Sequence, residues 1–307
     1  MSIDTSTSTT TDSNPAQIQV ENLSKVFDSK LVVNNISFTA TKGQIVGFLG
    51  PNGAGKTTTM RMVTGFLQPT TGKVHINGID ILKNSVQAKK QFGYLPEGAP
   101  SYADMQVYDF LKFVASIRGY TGVKLSECLD KVIHQVNLKE VLYKSIDKLS
   151  KGFKRRVGLA QAILHDPPIL ILDEPTDGLD PNQKYEVREL IKSMSKDKVI
   201  MLSTHILEEV EAICSRVMVI SSGKIIADGT PLELSNQANR HTVKLTIKNP
   251  ENNGNIDIPS LHQQLSQVIL QRNLELVKLH ADSAELEEFF RKVTATNYHV
   301  GNHQEVN

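Results

Sequence analysis

Gly50-Pro51-Asn52-Gly53-Ala54-Gly55-Lys56-Thr57-Thr58 follows the apolar run Ile45 to Leu49 and fits the phosphate-cradling pattern G-x-x-x-x-G-K-[ST]. The chemistry this spacing points to is binding of a nucleoside triphosphate. Glycines at 50, 53 and 55 let the backbone turn tightly and present its N–H groups to phosphates. A helix expected over Lys56 to Phe66 aims its positive end at the same place. Lys56 is then the cation for the β and γ phosphates, and Thr57 offers a hydroxyl to Mg²⁺, a hard cation that stays partly hydrated. Further along, Pro168 to Leu172 is a continuous apolar run that ends in Asp173-Glu174. Such a run reads as a strand buried on both faces of a parallel sheet, and ligands bind at the carboxyl ends of such strands. Asp173 is placed to assist Mg²⁺. Glu174, one residue on and pointing differently, is placed to polarise a water for in-line attack on the γ phosphate.

Between these two stretches, Leu149-Ser150-Lys151-Gly152-Phe153 leads into a helix whose apolar Phe153, Val157, Ala160 and Leu164 recur at helical spacing. Ser150 is the expected N-cap. Lys151, Lys154, Arg155 and Arg156 crowd the first turns, where the helix dipole favours acids, so an external anion is expected there. With these residues in place the chain resembles the ATP-binding-cassette family. That family's signature loop reads close to L-S-G-G-Q and presses a helix N-terminus on the γ phosphate of ATP held by the opposite subunit. The resemblance makes Gly178-Leu179-Asp180 the D-loop. It also makes His205 in Ser203-Thr204-His205, after the strand expected over Val199 to Leu202, a switch histidine bonded to the γ phosphate. Phe27 sits where the family carries an aromatic stacked on adenine.

The chain departs from the family pattern in two places. In Gly93-Tyr94-Leu95-Pro96-Glu97 the last position is a glutamine in most members, reaching Mg²⁺ and the attacking water; here it is Glu97. A third carboxylate would hold the metal harder yet repel Asp173, Glu174 and the phosphates, so a metal-side position and one turned away in one state both stand. The signature loop carries Lys151 and Phe153 where the family has glycine and glutamine, while Ser150 and Gly152, nearest the phosphate, remain. Both variations resemble cassettes paired with type-2 export permeases.

These residues need a frame. With 307 residues the chain can bury one large core plus a small extra domain. A net charge of +1 gives no global field toward nucleic acid or an acidic membrane. Cys128 and Cys214 lack a C-x-x-C spacing and read as reduced, structural thiols. No apolar stretch approaches the roughly 18 residues of a membrane span. Residues 1–16, rich in serine and threonine, read as a disordered leader. Strands are expected around Ile18 and Val20, from Leu31 to Ala40, and in a hairpin about Ser222-Gly223 joining Val217–Ile220 to Ile225–Ala227. Helical periodicity over Val107 to Val114 and Leu125 to Val136 gives an inserted subdomain of about 98–150. Over 240–307 the pattern is strand, loop, helix, strand and a serine-capped helix, a small α+β appendix with no identifiable chemistry. The fold class is α/β. By resemblance it is a P-loop NTPase cassette with a RecA-like parallel sheet, an antiparallel β edge and a helical insertion, over residues 17–235.

The resemblance implies an ATP-hydrolysing subunit of an exporter that dimerises head to tail around two ATP. Each ATP would lie between Gly50 to Thr58 of one chain and Ser150 to Gly152 of the other, with a D-loop at Asp180. The partner chain would be itself or a related cassette. The segment of about Gly98 to Val107 would drive a separate multi-span permease from the cytoplasmic face of the inner membrane. The rival reading is a soluble cassette acting on ribosomes or nucleic acid. Against it stand the single cassette, the lack of a coiled coil between Lys56 and Asp173, and the lack of a basic patch with aromatics. An inactive scaffold is disfavoured because Lys56, Asp173, Glu174 and His205 are all present.

Overall fold

Burial alternates along much of Gln17–Phe27 (β1) and Lys30–Thr41 (β2), the mark of strands with one covered face, and the two pair antiparallel. The structure, a computed structural model, describes residues 17–98 and 102–237; the leader and the appendix expected from the sequence lie outside them. Ile45–Leu49 (β3) runs into the glycine-rich loop and Lys56–Val63 (α1). Thr71–Ile76 (β4) and Ile79–Asp80 (β5) form a hairpin over Asn77-Gly78. Both turn residues have positive φ, 50° and 75°, as a two-residue hairpin of this hand requires. Ser85–Lys90 (α2), Phe92–Leu95 (β6), Val107–Ile117 (α3), Gly122–Gln135 (α4) and Lys151–Ile163 (α5) follow. Ile169–Asp173 (β7), Pro181–Met194 (α6), Val199–Thr204 (β8) and Leu207–Ile213 (α7) restore the alternation. Arg216–Ser221 (β9), Lys224–Gly229 (β10) and Pro231–Gln237 (α8) complete the described chain.

The larger sheet has the order β10-β9-β3-β8-β7-β6. Its neighbours are parallel except for the hairpin β9-β10. The smaller sheet, β2-β1-β4-β5, is antiparallel throughout. Every residue of β7 and β8 is buried because each face of the strand meets its own core. Leu170, Leu172, Ile200 and Leu202 pack with the helices α3 to α6. Ile169, Ile171, Val199 and Met201 pack with α1 and the antiparallel sheet. Two faces served by two cores is why these strands carry no polar alternation.

Helix α1 ends at Val63, three residues short of the expected Phe66. Gly65, at φ 69°, turns the chain left-handed, and the N–H groups of Phe66 and Gly65 return to the carbonyls of Arg61 (2.9 Å) and Met62 (3.1 Å). That is a Schellman closure, and it frees Phe66 to lie against Tyr94 with ring centres 5.4 Å apart.

Parallel register lines up the functional ends. Leu49 faces Thr204, Asp173 faces Ser203, and Leu95 faces Leu172. The glycine loop, the two acids, Pro96-Glu97 and His205 therefore all leave the sheet along one carboxyl edge.

Candidate active site

The glycine loop is held from behind by the β9-β10 hairpin. A side chain at Gly50 would meet the Ile220 carbonyl at 2.3 Å, so only glycine lets the two backbones approach. Gly223 N–H also donates to Ala54 O at 3.0 Å. Gly55, at φ 104°, is the N-cap of α1, a conformation a side chain would strain. Pro51, Asn52 and Gly53 are exposed at the crest, Ala54 to Lys56 are buried, and Thr57 and Thr58 are half-buried at the start of α1. The Lys56 ammonium donates to Gly50 O (2.8 Å) and Pro51 O (3.3 Å) and lies 3.5 Å from Glu174 Oε1.

The end of β7 supplies the acids. Thr57 Oγ1 donates to Asp173 Oδ1 at 3.3 Å, and the Ser203 hydroxyl donates to the same oxygen. Asp173 Oδ2 is buried without a partner. Glu174 leaves the strand at φ 50°, a left-handed conformation that costs a non-glycine residue roughly 1–2 kcal/mol. Its N–H donates to Ser203 O (3.2 Å) and Ser203 Oγ (3.0 Å). The twist turns its carboxylate so that Oε1 faces Lys56 and Oε2 lies 3.0 Å from His205 Nδ1.

The electrostatics follow from burial. Burial raises the Glu174 carboxyl above the usual carboxylate range, and the hydrogen bond and charge of His205, with Lys56, only partly oppose this. Tyr94, on β6 beside the acids, is pushed up to about 12, chiefly by burial and next by the charge of Asp173.

Lys56, Thr57, Asp173, Glu174 and His205 thus form one hydrogen-bonded and ion-paired group. Among the described residues no hydrogen bond or ion pair joins Phe27, Glu97, Ser150, Gly152 or Asp180 to it. Ser150 caps α5, its side chain accepting from Phe153 N at 3.3 Å. Gly152 lies so close to Gln183 that a Cβ would meet its side chain at 2.2 Å. Asp180 caps α6 through Gln183 N (2.9 Å), with Pro181 in the first turn. Phe27 is 41% exposed, and Lys25 Nζ lies 5.0 Å over its ring. Glu97 is exposed.

The basic turns of α5 correct one expectation. Arg155 faces inward and gives its donors to backbone carbonyls, and Arg156 pairs with Glu186 at 2.6 Å. The dipole conflict is therefore relieved inside the protein for these two, and only Lys151 and Lys154 remain for an external anion. Ser203 escaped the sequence reading as a site residue. Its signal was its register opposite Asp173, visible only once β7 and β8 are aligned as neighbours. Glu209 also escaped. It is 2% exposed, and its carboxylate accepts from the hydroxyls of Thr176 and Thr204 (2.7 Å), tying the segment after the acids to the strand end before His205.

Comparison with known proteins gives the arrangement its relatives. The family model described as ABC transporter matches residues 33–177. An uncharacterized ABC transporter ATP-binding protein, YxlF of Bacillus subtilis (strain 168), is 33% identical over 282 residues, 92% of this chain and 94% of that protein. The Nod factor export ATP-binding protein I of Cupriavidus metallidurans is 36% identical over 220 residues, 71% of this chain and 73% of that one. Among solved structures, an ATP-binding subunit of an ABC transporter superposes with a TM-score of 0.67 at 30% identity, covering 72% of this chain and 92% of that one.

Proposed function

The chain belongs to the ABC transporter family as an ATP-binding, ATP-hydrolysing subunit, and from that premise we propose that it powers an exporter by closing and opening a dimer around two ATP. The observation that carries this reading is the placement of Glu174, whose two carboxylate oxygens face Lys56 and His205. A phosphate drawn to Lys56 would lie beside the base that activates water and beside the imidazole that senses it. Glu174 takes the proton as water attacks the γ phosphorus and the bond to ADP breaks. His205, with Nδ1 on Glu174, has Nε2 left for the γ phosphate.

Mg²⁺ fits the residues present. Asp173 Oδ2 is an orphaned buried oxygen, and the Thr57 hydroxyl lies beside its other oxygen. Among the described residues no group of three His, Cys, Asp or Glu is arranged to hold a metal by itself; Asp173 and Thr57 would share the ion with phosphate oxygens and water. The ion would neutralise charge developing on the transferred phosphoryl group. Ser150 and Gly152, at the head of α5, supply the second half of each nucleotide site to the opposite chain, with Asp180 at the seam and Phe27 on the adenine. No helix among the described residues is long and apolar enough to cross a membrane. By its family membership the chain works with a separate multi-span permease, on whose cytoplasmic face the dimer sits. Export follows the Nod factor relative, whose name states it.

The test is to tag a Glu174→Gln variant, solubilise host membranes gently and identify what co-purifies by mass spectrometry. A multi-span membrane protein recovered in proportion to the variant supports the reading. Ribosomal or nucleic-acid partners without a permease overturn it.

A further inference from the structure

Arg155 is 8% exposed, and among the described residues no carboxylate oxygen forms an ion pair with it, though the charges of Asp173, Asp177, Glu174 and Glu97 favour its cation. Its guanidinium has five N–H donors, and each has a backbone carbonyl. Nε donates to Pro175 O at 3.2 Å. Nη1 donates to Pro96 O (2.8 Å) and Glu97 O (2.9 Å). Nη2 donates to the carbonyls of Asp173 and Glu174. One side chain on α5 therefore grips the peptide between the two acids, the turn after them and the segment after β6.

We propose that Arg155 is the positioning residue for the catalytic base: it locks the Glu174 peptide in its left-handed twist and makes the aim of that carboxylate depend on the seating of helix α5. The geometry supplies the reason. Glu174 holds a φ of 50° that its own preference opposes; its N–H is held on Ser203, its carboxylate by Lys56 and His205, and its carbonyl by the Asp177 N–H at 3.2 Å together with the charged Arg155 fork. Without the Arg155 fork the Glu174 carbonyl keeps only the neutral, local Asp177 N–H, the twist loses its charged anchor to α5, and Oε1 and Oε2 are expected to drift from Lys56 and His205. Because Arg155 and the Ser150 cap lie on the first turns of the same helix, a shift of that helix displaces the base, while Pro96-Glu97 is tied to the same fork. A lysine can replace this only in part, keeping the charge but having one nitrogen and no planar fork.

The inference rests on the ATPase reading of Glu174, and the test separates the two. Full-length wild type, Arg155→Lys, Arg155→Gln, Glu174→Gln and the double variant Arg155→Gln/Glu174→Gln are compared for steady-state ATP hydrolysis, ATP binding and thermal unfolding. A misplacement of about 1 Å costs on the order of 100-fold in rate. The Gln variant is therefore expected to lose about 100-fold in kcat with KM and ATP affinity within about threefold, and the Lys variant to recover part of the loss. In the Glu174→Gln background the Gln substitution is expected to lower the residual rate no further, because the group it positions is already gone. A rise in KM at fixed kcat, a full additive loss in the double variant, or failure of both Arg155 variants to fold assigns Arg155 to stability alone and overturns the proposal. A wild type without hydrolysis overturns the reading of Glu174 instead.

Discussion

Burial raises the proton affinity of Glu174 while His205 and Lys56 lower it, and burial wins. Water activation needs the ionised form, so hydrolysis is expected to fall on the acid side at a pH above the ordinary glutamate range. His205→Ala removes one of the groups that lower the Glu174 value. It is expected to move that acid limb to still higher pH and to cut kcat on the order of 100-fold, which a pH–rate profile measures. Stability carries the opposite sign. A carboxyl raised in the folded state contributes most below its unfolded value near 4.5, and the contribution is lost as pH rises through the folded value. Glu174→Gln removes that loss. The variant is expected to melt above wild type at pH 8, with the gap closing toward pH 4 in calorimetry; a constant gap would show that the environment of Glu174 favours neither form.

At the scale of elements, α5 must sit close on the sheet for its residues to reach the acids. The contact is made at Gly93 of β6, where a Cβ would stand 1.9 Å from the Ala162 carbonyl. Gly93→Ala is expected to cost about 2 kcal/mol or more through overpacking, a fall of roughly 4–8 °C in melting temperature. An unchanged melting temperature would mean that helix and strand separate freely. Ser150→Ala removes one hydrogen bond to Phe153 N–H, and is expected to cost about 1 kcal/mol. Much of this level was legible. The Ser150 cap, the strand ending in Asp173 and the hairpin at Ser222-Gly223 each carry a local signal. The β4-β5 hairpin carries an equally local one, Asn77-Gly78, though it was not read from the sequence. The end of α1 was not legible in the same way. Helical periodicity runs on past Val63, and only the Gly65 turn, held by bonds back to Arg61 and Met62, closes it.

At the scale of the whole molecule, the nucleotide is the expected link between two chains. Glu174→Gln is expected to run as a monomer without nucleotide and as a dimer with ATP and Mg²⁺, as light scattering after size exclusion reads. Chelating the cation is expected to abolish wild-type turnover, because Asp173 and Thr57 offer too few ligands to retain it without phosphate. A variant that stays monomeric at saturating ATP would overturn the clamp.

The sequence by itself determined the chemistry. The glycine loop with Lys56 and Thr57, the acids after an apolar run, and His205 after the next strand are local patterns, and local patterns name what a site does. It also determined the α/β class, since strands buried on both faces leave an unbroken apolar run. What the tertiary structure alone decided is which donors meet which acceptors. Ser203 reaches Asp173 through parallel register, Glu209 joins two loops, and Arg155 turns from a surface cation into an internal clamp. None of these can be read along the chain, because each depends on where a distant backbone carbonyl or hydroxyl comes to rest, and that is fixed by sheet order and by how closely α5 lies on β6.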